Sequence, residues 1–250
     1  MSVRIYLDGN PVHDYVLKAM HEQVPGSKLC REYEESDVAV VFGVYKAAIK
    51  ASYFRASVIA RQQLKDRKVI VIDSGYVKRG DDKDSYYSVG LDGINGYGDH
   101  KNIGCPSDRW DALGVELKPM KEKGDHLICG QVPWDASLSG VNYIEWLYKA
   151  IDKYGEHGRY RPHPLFDYKV SGVKRSIETT IEEALEQARY VVAYNSNSLV
   201  DGYINGCAPL PGGFSMINRM VDRQQWANNL AYAQWRPDEM GEAFRRMTNG

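Results

Sequence analysis

The sequence predicts an α/β protein of two Rossmann-like lobes with a C-terminal helix. Short Val- and Ile-rich strand segments alternate with helix-like segments, the alternation occurs twice with a break near residue 120, and a length of 250 residues suits two compact lobes. The lobes are expected over residues 1–120 and 121–250, the second one carrying the terminal helix.

In the first lobe, Val3–Leu7 (VRIYL) reads as a strand that ends in Asp8-Gly9-Asn10, and residues 12–24 place apolar side chains at helical spacing. Asp37–Val44 (DVAVVFGV) is a buried-type strand, residues 46–65 are helix-like, and Lys68–Asp73 (KVIVID) is the next strand. Strands this rich in Val and Ile argue for a parallel sheet covered on both faces. Residues 76–120 break the rhythm, being rich in Gly, Asp and Tyr with little periodicity, and are expected to form a long functional loop.

The alternation resumes at His126–Gly130 (HLICG), followed by a helix over 141–154. A short strand, Arg159–Arg161, is stopped by Pro162-His163-Pro164, and Ser176–Thr179 opens a further helix. Tyr190–Tyr194 (YVVAY) is a strand, and Leu199–Asn205 a short helix with Gly206 as its C-cap. The tail from Gln224 to Met247 is expected to be helical.

Composition narrows the function classes. Hydrophobic residues at 43% and charged residues at 26% describe an ordinary globular chain. A net charge of −1 gives no global attraction to nucleic acid or to an anionic membrane. Cys30, Cys105, Cys129 and Cys207 lie far apart without zinc-type spacing, so no metal is expected, and Cys129 and Cys207 read as buried thiols. The N-terminus runs straight into a strand, and no apolar run approaches the ~20 residues of a membrane helix, so the expected location is cytoplasmic. The turn after the first strand lacks the glycine pattern of dinucleotide binding, and a P-loop is absent.

Three segments of the second lobe stand where strands should end: Gly130-Gln131, Arg161-Pro-His163-Pro and Asn195-Ser196-Asn197-Ser198. In a parallel sheet all three open on one edge, where ligands of such sheets bind. Asn195–Ser198 precede a short helix whose first N–H groups can hold a phosphate, with the Ser196 and Ser198 hydroxyls adding donors; plain N-capping is the competing explanation. Two prolines stiffen the backbone around His163, which can donate to a phosphate or sugar oxygen, and Arg161 can neutralise a diphosphate.

Taken in order, Gly130-Gln131-Val132, Asp135-Ala136-Ser137, Pro162-His163-Pro164, Asn195–Ser198 and Gly206 resemble the donor lobe of the capsular-polysaccharide Kdo transferases. The His-Pro pair and the Ser-rich turn are also similar to the bacterial sialyltransferases. The resemblance covers roughly residues 125–210 and departs from the pattern at Arg161, where lysine is usual, and at Asn195 and Asn197, where Ser or Thr is common. It implies a GT-B fold, transfer without a metal, and a nucleotide-sugar co-substrate, CMP- or UDP-linked, held by the C-terminal lobe with no other cofactor. It also implies a glycan acceptor or, in a small phage-type enzyme, a hydroxymethylated DNA base.

The first lobe must then supply the acceptor side. Asp8, Asp73 and Asp92 are the candidates for a general base, each also explicable as a turn or cap residue. Arg79 and Tyr76 are candidates for lining an acceptor groove, a half-buried aromatic loop being the equal alternative. A nucleotide-sugar-binding module without turnover and a nucleotide-sugar epimerase are the competing functions.

Overall fold

A computed structural model describes residues 1–44, 50–138, 140–219 and 222–249. The chain divides into two compact units, residues 1–113 together with 221–250, and residues 114–220.

The first unit begins with strand β1 (Val3–Tyr6) and helix α1 (Pro11–Gln23). Asn10 caps α1 by accepting from the Val12 and His13 N–H groups, and Pro11 supplies the preset first helical φ. Val16, Leu17 and Met20 form the buried face of α1. Strands β2 (Ser27–Cys30) and β3 (Val38–Phe42), helix α2 (Lys50–Gln63) and strand β4 (Lys68–Ser74) follow. These four strands are mutually parallel.

Residues 76–120 are not one irregular loop. They build strand β5 (Tyr87–Leu91), a 3-10 turn at Asn95–Tyr97 and helix α3 (Asp108–Leu113). Every residue of β5 is buried, which erases the alternation that marks a half-exposed strand. The glycines serve close packing: a Cβ on Gly90 would meet the His100 ring at 2.9 Å, and one on Gly98 would meet the Gly93 carbonyl oxygen at 2.5 Å.

The second unit carries β6 (Asp125–Cys129), α4 (Tyr143–Tyr154), β7 (Gly158–Arg161), β8 (Lys174–Arg175), α5 (Ile181–Gln187), β9 (Ala188–Ala193), α6 (Ser198–Ile204) and β10 (Ala208–Pro211). Its sheet runs β10-β9-β6-β7-β8 with all neighbours parallel. Thr180 and Glu183 close a reciprocal capping box on α5. Gly202 lets α6 lie tightly on β9, since a Cβ there would meet Val191 Cγ2 at 2.4 Å. Gly206 ends α6 in the left-handed region at φ +81°, as its expected C-cap role requires.

The tail corrects two expectations. It is broken into α7 (Arg223–Ala231), β11 (Gln234–Trp235) and α8 (Met240–Thr248), with Pro237 removing the possibility of one continuous helix. It also belongs to the first unit rather than the second. β11 pairs antiparallel with β5 and completes the first sheet, ordered β11-β5-β4-β3-β1-β2. Trp235, Met240, Ala243, Phe244 and Met247 share one core with Ile5, Leu17 and Met20. Buried Gln234 accepts from the Tyr76 and Val77 N–H groups, and Gln23 bonds both Pro237 O and Gly241 N. Among the described residues no helix is long and apolar enough to cross a membrane.

Trp235 is fully buried. Trp235→Ala is expected to destabilise the protein by about 3–5 kcal/mol, as for other large-to-small core changes, read from urea unfolding monitored by circular dichroism. A change below about 1 kcal/mol would mean that the tail is not part of the first core.

Candidate functional site

In the second unit, β6 lies between β9 and β7 and is parallel to both, so the loops that follow all three strands open at one sheet edge. This is the convergence expected of Gly130-Gln131, Pro162–Pro164 and Asn195–Ser198. The chain leaves β6 towards β7 and β8 on one side and later occupies β9 and β10 on the other. The gap between β6 and β9 is therefore the switch point at which a doubly wound sheet opens a crevice.

Two of the expected donor-binding residues join the strand ends on either side of that gap. Gln131 Nε2 donates to Asn195 Oδ1 at 2.8 Å, and Asn195 N donates to Gln131 Oε1 at 3.1 Å. Asn195 Nδ2 also donates to the Ser137 carbonyl, while the Ser137 hydroxyl donates to Asp135 Oδ1. Both amides are buried. They act as a latch between strand ends, with their polar atoms directed to protein partners. Gly130 is required by the close passage of the neighbouring strand end, because a Cβ there would meet the Tyr160 hydroxyl at 2.8 Å and His163 N at 3.2 Å.

His163 stands half-buried beyond β7. The Leu165 N–H donates to its Nδ1 at 3.1 Å. An amide N–H can only donate, so Nδ1 holds a lone pair and the neutral ring carries its proton on Nε2. Burial lowers the His163 pKa, with the Asp135 carboxylate pulling the other way. The residue thus offers a neutral N–H donor at the shared edge.

At the head of α6, Ser196 Oγ accepts from Ser198 N, Ser196 O accepts from Leu199 N, and Asn197 O accepts from Val200 N. These local bonds use part of the expected phosphate cradle. The Ser198 hydroxyl is buried and bonded to the Cys129 thiol, so it too is turned into the protein. Arg161 is committed differently from expectation: its guanidinium donates to the Glu178 and Thr179 carbonyls and holds the segment before α5.

An aromatic group missed from the sequence stands beside His163. Trp134, 40% exposed, meets Phe166 edge-to-face at 5.4 Å, and Phe166 contacts Tyr168 at 4.7 Å. The Phe166 N–H donates to the His163 carbonyl, so the ring is tied to the His-Pro turn. The Val132-Pro-Trp134-Asp135 run was the signal for it. A cavity of about 290 Å³ lies between α4 and β10, lined by Trp146, Lys149, Lys153, Tyr154 and Pro211, and holds none of the expected donor residues. The Cys129 thiol is pushed up to about 12 by burial, an inert core group as expected.

In the first unit the three candidate bases do not share a site. Asp8 follows β1 and Asp73 ends β4, two parallel strands of one sheet. Asp92 follows β5, which runs antiparallel to β4, so it lies at the opposite edge, where its carboxylate accepts from Val69 N at 3.1 Å. Tyr76 is buried with its hydroxyl against His100 Nε2 at 3.2 Å, a core residue rather than a groove lining. Arg79 is exposed and donates to the Tyr76 carbonyl. Asp73 is partly exposed and accepts from Ser74 N.

Asp8 has two unforeseen partners. Its Oδ2 lies 2.8 Å from His13 Nδ1 and 2.5 Å from Arg55 Nη1. Burial raises the Asp8 pKa, but the bonds from His13 and the Asn10 N–H, with the charges of His13 and Arg55, outweigh it and leave the pKa below the usual carboxylate value. The Asp8 carboxylate is 2% exposed and ionised, and the His13 side chain is the more accessible member at 24%.

No family model matches the sequence, and no curated protein matches it either. Solved structures match its fold. The KpsC beta Kdo 2,4 transferase of Thermosulfurimonas dismutans aligns with a TM-score of 0.61 at 13% identity, over 93% of this chain and 90% of that one. The KpsC beta Kdo 2,7 transferase of the same organism aligns with a TM-score of 0.56 at 12% identity, over 100% of this chain and 99% of that one. The likeness to the capsular-polysaccharide Kdo transferases, expected over the second lobe, is thus a likeness of fold that runs through nearly the whole chain.

Proposed function

We propose that this chain is a glycosyltransferase of the GT-B class that moves a sugar from a nucleotide-linked donor, CMP- or UDP-linked, to a hydroxyl of a glycan. The observation that carries the proposal is the neutral Nε2–H of His163, presented at the same sheet edge as the head of α6, in a fold shared with two Kdo transferases. In this reading the donor phosphate accepts from His163 Nε2, and Trp134 and Phe166 offer a face for the base or sugar. The second unit holds the donor and the first unit the acceptor. A glycan acceptor is favoured over a DNA base because a net charge of −1 provides no pull on a polyphosphate backbone.

His163→Ala removes one hydrogen bond to a charged group, a loss of about 1.5–3 kcal/mol, or roughly ten- to a hundredfold in donor use. The unliganded melting temperature should stay within about a degree. A mutant that turns over normally, or one that unfolds, would place the phosphate elsewhere. Gln131→Ala should behave in the opposite way: it strands the buried Asn195 groups and costs about 1–3 kcal/mol of stability by chemical denaturation.

Transfer is proposed to need no divalent cation, because the phosphate contacts named above can take the place of one. Donor turnover should survive EDTA, and activity that vanishes with the chelator and returns with manganese would refute this. A thermal-shift panel of CMP, UDP and their sugars identifies the nucleotide. Stabilisation without transfer or donor hydrolysis would favour a binding module instead.

A further inference from the structure

The cavity between α4 and β10 lies wholly within the second unit and holds none of the donor-binding candidates. Trp146, Lys149 and Lys153 reach it from α4, at the three- and four-residue spacing that puts side chains on one helical face. Val192 and Leu210, paired neighbours on β9 and β10, line it from the sheet. Gly212 follows β10, and a Cβ on it would collide with Trp146 Nε1, so only glycine lets the strand end lie against the indole. The Tyr143 and Tyr194 rings, each with its centroid 5.4 Å away, pack on the indole as well and fix its plane.

The two lysines differ in their partners. Lys149 pairs with Glu145 at 2.6 Å and is neutralised within its own helix. Lys153 is exposed, lies 4.9 Å over the Tyr154 ring and pairs with no carboxylate among the described residues. One uncompensated positive charge therefore stands at a cavity whose walls are aromatic and aliphatic. Its volume of about 290 Å³ is at the small end of the ~300–1,000 Å³ of ligand pockets, which suits one sugar-sized ring. The adjoining edge of β10 is closed to a further strand. Gly212 N donates to Ala193 O on β9, so Leu210, two residues back, points its N–H the same way. Pro209 and Pro211 then take the outward positions, where they have no N–H to offer. A small ligand fits this place better than a protein strand.

We propose that this cavity is a second carbohydrate site, which takes one carboxylated sugar unit of an acidic glycan. The C–H face of the sugar ring lies on the Trp146 indole, and its carboxylate meets the Lys153 ammonium. One unneutralised lysine matches the single charge of a carboxylate better than the nearly double charge of a phosphate monoester. The choice of a glycan rests on the glycosyltransferase reading, while the site itself rests on the cavity and its charge. A chain held here by an internal sugar stays with the enzyme between transfers.

The test uses the intact protein labelled with ¹⁵N-tryptophan, the Trp146 indole signal being identified by its loss in Trp146→Phe. Methyl glucuronide should move that signal saturably, with a Kd on the order of 1 mM for a single ring at an open site. Lys153→Glu should weaken this binding by roughly tenfold or more, and Lys153→Arg should retain it. Methyl glucoside, the same ring without the carboxylate, should bind far more weakly than the glucuronide. A Trp146 signal that shows no saturable shift overturns the proposal, and so does glucuronide binding that Lys153→Glu leaves unchanged. A response to the glucoside or to inorganic phosphate as strong as that to the glucuronide overturns the assignment of a carboxylated sugar. The transfer reading fails separately, if the wild-type protein neither binds nor consumes any nucleotide sugar, whatever the indole signal does.

Discussion

Two buried amides, Gln131 and Asn195, set the geometry on which the second unit's edge depends. Each residue gives and takes one hydrogen bond with the other, so loops 64 residues apart in sequence are joined by a pair that neither could satisfy alone. From Asn195 the connection continues through the Ser137 carbonyl and hydroxyl to Asp135, whose charge is felt at His163. α6 begins at Ser198, three residues beyond Asn195, so its head is tied to the same latch. A parallel sheet supplies the common edge, and the amides decide how its loops stand there. Buried polar groups of this kind are stabilising only when all are paired, which makes the arrangement specific as well as firm.

Much of this was legible in the sequence, and the failures share a cause. The Val- and Ile-rich strands were readable because burial on both faces leaves a continuous apolar run, as in Val38–Phe42 and Lys68–Ser74. The convergence around His163 followed from strand direction alone. Gln131, Asn195 and Arg161 were recognised as polar groups at strand ends, but their partners are distant in sequence and their use as latches and struts is visible only in three dimensions. Asp92 stands apart from Asp8 and Asp73 for a topological reason: the direction of β5 cannot be read from Tyr87-Ser88-Val89-Gly90-Leu91, and that direction decides the edge at which Asp92 lies. His13 was hidden within an amphipathic helix, although the strand-turn-helix run from Asp8 to His13 is compact enough to bring the two side chains together.

The two histidines show how one residue type is set to opposite tasks by its neighbours. At His163 a backbone N–H occupies Nδ1 and leaves a donor at Nε2; at His13 a carboxylate accepts from Nδ1 and keeps a proton on that nitrogen instead. Neither outcome depends on the imidazole itself. In each unit the deciding group is local, lying two residues after His163 and five residues before His13, so chain geometry near the ring controls its chemistry.

The discontinuity of the first unit has a consequence for synthesis. Its sheet is closed by β11, and its core contains Trp235 and the face of α8, all encoded after the whole of the second unit. A nascent chain can therefore complete the middle unit while the opening one still lacks its last strand. During that interval β5, fully buried in the finished protein, has an unpaired edge and an incomplete apolar cover. Such an edge is open to pairing with other chains until the tail emerges. Vectorial folding is thus inverted here: the unit that starts first finishes last, and its exposure is timed by the length of the insert that interrupts it.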